Sequence, residues 1–213
     1  FKNLFYGFLP PVVKENPTLY LALAAYAVFG IAIQIYMPYL ILYYEVSLGM
    51  TNYVLIMAPA IILAAVVTAF WGKVYDKRGF RFAALAALAA LNLGYIVLYL
   101  TRSTLPVFVG SLLMMSGYLS GMAVFGAYVR DFTPQGKSGQ FQGLRIFSQV
   151  LIPGVIGPAI GAAVLSGAEQ ILNSDGTTSF VPHAGIFAAA LAVGVVVTIC
   201  VLAATSRSRC HNQ

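Results

Sequence analysis

Residues 72–81 read Gly-Lys-Val-Tyr-Asp-Lys-Arg-Gly-Phe-Arg and form the most highly charged stretch of the chain. The whole sequence of 213 residues has only 12 basic and 6 acidic side chains. Long apolar runs flank the stretch, residues 52–71 before it and residues 82–100 after it. Each run is close to the ~20 residues that cross a ~30 Å hydrocarbon core. We therefore expect two membrane-spanning helices joined by a tight basic turn.

The composition places the chain among integral membrane proteins. Hydrophobic residues make up 60% of it and charged residues 8%, whereas a soluble domain has about 25% charged residues. The net charge of +6 does not indicate a nucleic-acid partner, because the cations form short clusters between apolar runs instead of one basic face. The predicted partner is the lipid bilayer.

Six apolar runs are long enough to cross that bilayer, and we number them spans one to six. They are residues 18–44, 52–71, 82–100, 105–129, 141–165 and 184–204. Backbone groups in lipid must bond within their own segment, and the runs are continuous instead of alternating, so helices are expected and a barrel is not. The predicted fold is all-α, with a lead-in at 1–17, a transmembrane domain at 18–205 and a tail at 206–213.

The basic residues predict the orientation of these spans. Eleven of the twelve fall on one side of the predicted bilayer and only Arg102 falls on the other. The eleven are Lys2, Lys14, Lys73, Lys77, Arg78, Arg81, Arg130, Lys137, Arg145, Arg207 and Arg209. Because cytoplasmic loops are enriched in Lys and Arg, both termini are expected in the cytoplasm, and the protein in the plasma membrane.

The six spans differ in polarity, and the difference repeats. Spans one and four carry the polar and aromatic side chains, whereas spans three and six are bland and are expected to face lipid. Each kind of span holds the same place in a set of three. Because each set has three spans, the second set starts on the opposite side of the membrane from the first. The two sets therefore have opposite topology, which is the pattern of a 3+3 inverted repeat.

Asp76 is the only anion of the basic turn and lies among four cations. An anion there can pair with a nearby cation, and Arg130 and Arg145 are predicted on the same side of the membrane. Such a pair would lock one arrangement of helices and release in another. The alternative is a solvated loop that serves only topology.

Two loops resemble those of the major facilitator superfamily. The first match consists of Gly72, Asp76, Lys77, Gly79 and Arg81, and Phe82 departs from the last basic position of the fuller signature. In that family the signature joins the second and third helices of a six-helix half, as it would here. The segment 128–143 resembles the family's loop between the fourth and fifth helices. The resemblance implies secondary transport of a small solute by alternating access, with Asp76 helping to close the cytoplasmic side, and no enzyme activity.

A full transporter of this family has two six-helix halves, so the other half is an expected partner. The lead-in resembles the segment after a central linker, and the chain stops soon after span six, so we expect the C-terminal half of a longer protein. Gly157, Pro158 and Gly161 instead resemble an antiporter signature of the N-terminal half. Pro153 and Ala162 stand where that signature has glycines. The alternative is therefore the N-terminal half of a drug/proton antiporter.

Span one is the predicted wall of a substrate cavity. Gln34 lies mid-membrane, where an amide needs a partner, and Pro38 removes a backbone hydrogen bond one turn later. The candidate cavity residues are Tyr26, Gln34, Tyr36, Tyr39, Ser116, Tyr118 and Gln149. The alternative is that Gln34 bonds a neighbouring helix. For Tyr43 and Tyr44, an interfacial aromatic belt is favoured. Arg145 shares a face with Gln149, and an ion pair or snorkelling is favoured over contact with an anionic substrate.

The remaining small residues predict helix packing. Gly117 and Gly121 on span four, like Gly157 and Gly161 beside Pro158 on span five, have the spacing of close helix contacts. No charged residue lies in the middle of any span, so the coupling ion stays open, and no metal or cofactor is expected. A self-assembling six-helix channel or scaffold is the remaining alternative, although no pore ring is evident.

Overall fold

The computed structural model describes residues 6–172 and 176–210, the last eight of them as backbone only. The helices are α1 (Pro10–Glu15), α2 (Pro17–Tyr36), α3 (Leu40–Leu42), α4 (Val54–Leu100), α5 (Thr104–Asp131), α6 (Ser138–Ile146), α7 (Ile152–Val164) and α8 (Gly185–Cys210). A 3₁₀ turn at Met37–Tyr39 and π-helical turns at Tyr43–Ser47 and Phe147–Leu151 join some of them. The fold is a mostly helical membrane fold, as expected.

Five helical units in the described residues are long and apolar enough to cross a membrane. They are Pro17–Ser47, Val54–Leu100, Thr104–Asp131, Ser138–Val164 and Gly185–Leu202. The sequence predicted six, and the difference lies in α4, which covers predicted spans two and three. The expected loop at 72–81 is helical except at Gly79, whose φ of 76° and ψ of 172° are not helical.

α4 bends back on itself at Gly79. A straight helix of its 47 residues would be about 70 Å long, far more than a bilayer core. The Trp71 indole N–H donates to the Ala83 carbonyl oxygen at 3.2 Å, although twelve residues of straight helix would separate the two by about 18 Å. We call residues 54–78 the first arm of α4 and residues 80–100 its second arm.

Contacts of the first helical unit, 17–47, show how many times the chain reverses. Tyr26 meets Met122 and Tyr44 meets Ser111, so this unit and α5 run in opposite directions. Ser148 bonds the Leu23 carbonyl, and Gly161 lies against the Ile35 carbonyl, so this unit and α6–α7 run in the same direction. Both relations require α4 to contain two antiparallel arms, because a straight α4 would invert them.

One end of the bundle gathers the basic turns. Tyr75 bonds Asp131 at 2.6 Å, and the rings of Phe80 and Tyr128 stack at 3.7 Å, so the turn of α4 lies against the end of α5. Lys137 donates to the Tyr6 hydroxyl at 3.0 Å, which brings the lead-in to the same end. This hydrogen bond raises the pKa of the Lys137 ammonium, so Lys137 is charged at any physiological pH.

The lead-in packs against the bundle. The Tyr20 hydroxyl donates to the Gly7 carbonyl, and the ring of Tyr6 meets that of Phe141 edge-on at 5.9 Å. The first five residues of the lead-in, which include Lys2, lie outside the described residues. Residues 211–213 of the tail lie outside them as well, and the side chains of Arg207 and Arg209 are not described.

The opposite end carries a short hairpin that the sequence did not predict. Gln170–Leu172 pairs antiparallel with Thr178–Phe180. Ser47 donates to the Pro182 carbonyl, and Arg102 donates to the Tyr43 hydroxyl at 3.2 Å, so these contacts close the same end. Tyr43 and Tyr44 are buried to 1% and 0% exposure. The expectation of an interfacial belt for them is wrong, because their hydroxyls find partners inside the bundle.

Candidate functional site

The 17–47 unit forms the spine of the candidate site. The helix breaks at Met37–Tyr39 because Pro38 has no N–H to continue the α-helical ladder. One turn before the break, the half-buried Gln34 lies against Gly157 of α7, and the ring of Tyr39 lies against Gly161. Gln34 and Tyr39 are therefore placed where the 17–47 unit crosses α7.

Glycines allow the close crossings that hold this spine. A Cβ on Gly157 would collide with Gln34, and one on Gly161 would lie 2.5 Å from the Ile35 carbonyl oxygen. On α5, a Cβ on Gly117 would lie 2.7 Å from the Ala87 carbonyl oxygen, and one on Gly121 would meet the Phe29 ring at 2.5 Å. Pro158, half-buried, follows Gly157 in α7. Backbones approach closely at each of these small residues, as small-residue motifs permit.

A polar cluster lies where the 17–47 unit, α5 and the start of the α6–α7 unit meet. Tyr26 is 4% exposed, stacks on Phe125 at 5.8 Å, and its hydroxyl lies 3.4 Å from the Met122 carbonyl oxygen. Ser148 bonds the Leu23 carbonyl three residues before Tyr26, and a Cβ on Gly30, four residues after it, would lie 4.0 Å from the Gln149 carbonyl oxygen. The cluster of Tyr26, Tyr118, Arg145 and Gln149 therefore joins three helical units.

Arg145 and Gln149 of this cluster have unsatisfied nitrogens. Both side chains are half-buried, and the Arg145 Nε and Gln149 Nε2 atoms are buried without a hydrogen-bond partner in the described part of the chain. Gln149 belongs to the π-helical turn Phe147–Leu151. Pro153, four residues later, cannot donate to the Gln149 carbonyl, so this stretch departs from the α-helical ladder.

Tyr36 lies elsewhere, and its prediction as a cavity residue is not matched by its position. Its side chain is 0% exposed, with ring centroids 5.3 Å from Tyr95 and 5.8 Å from Phe187. It belongs to the packed interior between the 17–47 unit, the second arm of α4 and α8. Ser116 and Tyr118 are half-buried on α5. Within residues 6–172 and 176–202, neither of their side-chain hydroxyls has a hydrogen-bond partner.

The basic turn shows a different contact from the one expected. Asp76 and Lys77 are exposed, Gly72 lies in open space, and Arg81 is half-exposed. Asp76 makes no ion pair with any described residue, so the expected pairs with Arg130 and Arg145 are not formed. Arg130 instead approaches Asp131 at 3.6 Å.

The concave surfaces and possible metal ligands do not coincide with this chemistry. An open groove of about 570 Å³, lined by Ile96, Leu191 and neighbouring apolar side chains, lies between the second arm of α4 and α8. A second, of about 400 Å³, lies beside Arg102 and Glu169 at the hairpin end. The first groove is apolar, and an apolar groove on a membrane protein suits lipid. We therefore base the candidate site on the polar cluster. Among the described residues, no three His, Cys, Asp or Glu side chains could together hold a metal ion.

Comparison with known families decides the assignment. The family model described as Major Facilitator Superfamily matches residues 7–158, which include the basic turn, the 128–143 loop and most of the polar cluster's helices. The chain belongs to the major facilitator superfamily. The comparisons with curated proteins and with solved structures gave no match.

Membership places this major facilitator chain among multi-pass membrane transporters. Members of the family are transporters and not enzymes, and they carry small solutes within the membrane. The resemblance of the two loops, drawn from the sequence, is thereby confirmed.

Two features of the site went unrecognised in the sequence. One is the contact of Tyr75 with Asp131. The sequence had directed attention to other residues of the same two loops, such as Asp76 and Arg130. The other is the π-helical turn at Gln149, for which the proline at position 153 was an available signal. In both cases the residue types were visible, but which helix faces would meet was not.

Proposed function

We propose that this chain is a six-helix half, the C-terminal one, of a secondary transporter that moves a small solute by alternating access. In this proposal both arms of α4 cross the bilayer, which brings the number of spans to six in a 3+3 inverted repeat. The alternating directions of the units support it. We place the basic end in the cytoplasm because the cations gather at that end. We place the protein itself in the plasma membrane.

The observation that carries the proposal is the open surface of the first arm of α4 and of the α6–α7 unit. The first arm exposes 73% of Leu55, 64% of Ile62 and 60% of Phe70. The π-helical turn exposes 64% of Val150, next to the unsatisfied Gln149, and α7 exposes 63% of Val155 further along the same unit. Lipid tails would suit the apolar side chains but leave the polar nitrogens unsolvated, whereas a second half with a cavity between suits both.

The proposed substrate cavity is lined by Tyr26, Gln34, Tyr39, Ser116, Tyr118 and Gln149. The proposed switch is the basic turn, in which Asp76 holds the cytoplasmic side closed in one state. Gly72, Lys77, Gly79, Arg81 and Arg130 shape or charge that turn. The solute crosses when the two halves rock against each other around a fixed site.

Membrane-impermeant cysteine labelling tests the topology on which this depends. Cysteines placed at Lys77 and Lys137, in a variant with Cys200 and Cys210 replaced by Ser, should both react from the cytoplasmic side only. A cysteine at Glu45 should react from the outside. Labelling of positions 77 and 137 from opposite sides would remove the transporter assignment together with the topology.

Assembly separates the half-carrier from the self-assembling channel. The reading frame upstream of this chain should encode six further spans and a basic linker. Cross-linking through cysteines at Leu55 or Val155 should then join this chain to that upstream half. Cross-links between identical copies, with ion conductance in liposomes, would instead support the channel.

A further inference from the structure

Arg145 is a cation in a membrane-spanning unit, and the described residues include no anion that pairs with it. It lies seven residues into the unit that begins at Ser138, about 10 Å along the helix. Its Nε atom is buried, and the described residues offer it no ion pair. An unpaired charge inside a membrane-spanning helix costs several kcal/mol, and such a residue commonly marks a substrate or ion pathway.

The acidic residues that the structure describes are otherwise placed. Glu45 and Glu169 lie towards the hairpin end, and Asp131 already accepts from Tyr75 and approaches Arg130. Glu15 and Asp76 are exposed at the basic end. The side chain is half-buried with its Nε atom covered, so the guanidinium is only partly drawn out to water in the way that snorkelling would draw it.

The groups around Arg145 are suited to hold an anion. The unpartnered atom of Gln149 is its amide nitrogen, which only donates. Tyr26 lies between Leu23, which Ser148 bonds, and Gly30, which faces the Gln149 carbonyl. Its long 3.4 Å contact with Met122 leaves its hydroxyl able to donate to a ligand. A guanidinium with an amide N–H one helical turn away offers the kind of donors that carboxylate and phosphate oxygens accept.

We propose that the transported solute is a small organic anion whose carboxylate or phosphate group binds Arg145, with Gln149 and Tyr26 as additional donors. This inference rests on the transport function proposed above. Arg145 thus supplies the charge, and the aromatic and amide side chains of the same wall contact the rest of the solute.

The electrostatic part is tested without knowledge of the solute. Gln149→Cys, in the protein with Cys200→Ser and Cys210→Ser, is reacted with an anionic sulfonatoethyl and a cationic trimethylammonioethyl methanethiosulfonate. An unbalanced Arg145 should favour the anionic reagent, and Arg145→Gln should lower the ratio of the two rates about tenfold or more. Val155→Cys, some 15 Å from Arg145 along the helix, is the matched control, and its ratio of rates should not respond to Arg145→Gln. An unchanged ratio at position 149 would show that a carboxylate elsewhere, such as one in a second half, already neutralises Arg145, and would overturn the inference.

The substrate class is tested by uptake of matched pairs into proteoliposomes that contain the full transporter. The probes are glucuronate and glucose 6-phosphate, each set against glucose, and lactate set against propane-1,2-diol. The anion of at least one pair should be taken up preferentially, and Arg145→Gln should reduce that uptake at least about 30-fold. Arg145→Lys, which keeps the charge and loses the planar fork, should recover part of it. Lys14→Gln, on the exposed α1, should change nothing.

The outcomes separate the two proposals. Uptake of the neutral member of a pair that is insensitive to Arg145→Gln would refute the anionic substrate and leave the transporter intact. Absence of uptake for every pair, by protein that is folded and correctly oriented, would refute the carrier assignment and this inference with it.

Discussion

Tyr75 donates a hydrogen bond of 2.6 Å to the Asp131 Oδ2 atom, which ties the basic turn of α4 to the end of α5. The two residues are 56 positions apart and belong to the two loops that resemble the superfamily. This hydrogen bond and the stacking of Phe80 on Tyr128 therefore couple the position of the α4 arms to that of α5 at the basic end of the bundle.

Tyr75→Phe should loosen this end of the protein. A hydrogen bond to a charged group contributes roughly 1.5–3 kcal/mol, and partial exposure of both side chains reduces the expected loss to about 1 kcal/mol. We expect faster alkylation of a cysteine placed at Val129, which is buried next to Tyr128 in the chain, measured by mass spectrometry. Tyr128→Phe, whose ring stacks on Phe80 without a described bond from its hydroxyl, is the control. Equal rates in the two variants would contradict a latch role for Tyr75.

Asp76→Asn should shift the balance between inward- and outward-facing states of the full transporter. The side chain is exposed and unpaired with any described residue, so in the proposed switch its partner would belong to another state or to a second half. Accessibility of single cysteines on the two faces measures the shift, and Glu45→Gln at the opposite end is the control. Unaltered accessibility on both faces would show that Asp76 serves topology alone.

Gln34→Ala should weaken substrate uptake while expression is retained. The amide lies half-buried at the crossing with α7, and removing it takes a hydrogen-bonding group from the proposed wall without enlarging any side chain. Loss of one neutral hydrogen bond corresponds to about 1 kcal/mol, or roughly a fivefold rise in KM. Gln142→Ala, exposed on α6, is the control. Normal affinity of the Gln34 variant would remove this residue from the site.

Gly117→Ala should destabilise the packing between α5 and the second arm of α4. The added Cβ would lie 2.7 Å from the Ala87 carbonyl oxygen and the Leu91 Cα atom, and backbone atoms cannot swing aside. Overpacking of this kind costs about 1–3 kcal/mol, to be read as a lower melting temperature in detergent. Gly154→Ala, in α7 with nothing within 4 Å, should be neutral or slightly stabilising. A melting temperature equal to that of the unaltered protein would mean that the helices separate without penalty.

Gly79→Ala should impair folding of the α4 hairpin. Gly79 is the one residue of α4 with non-helical backbone, and its φ of 76° with ψ of 172° is essentially confined to glycine, at a cost of about 1–3 kcal/mol for other residues. Gly72→Ala, with open space around it and no positive φ, is the control in the same turn. The measured quantity is the fraction of monodisperse protein after extraction, and equal fractions would contradict the structural role of Gly79.

Much of the fold was predictable because hydropathy is a local property. The apolar runs, the break at Pro38 and the reversal within residues 72–81 follow from residues that are near each other in sequence. The prediction failed in the detail of that reversal, since Gly79 alone turns the chain and the rest of the stretch stays helical. A hairpin of two short strands at 170–180 carried too few residues to signal itself.

The candidate site was less predictable because it depends on how each helix is rotated about its axis. Gln34 and Tyr36 are two residues apart on α2, so they face different directions. One meets Gly157 of α7, and the other is enclosed by Tyr95 and Phe187. For Arg145 the sequence favours an ion pair or snorkelling, because it shows which anions are predicted on the same side but not how their helices are oriented.

The sequence by itself determined that this protein is a helical membrane protein with its charge gathered at one end, and that two of its loops are those of a major facilitator. These properties follow from which residues are neighbours along the chain. Only the tertiary structure decided that Tyr75 instead of Asp76 contacts the end of α5, that Tyr36 is interior, and that Arg145 stands unpaired beside Gln149. Those outcomes depend on the rotation and register of packed helices, which no single stretch of sequence contains.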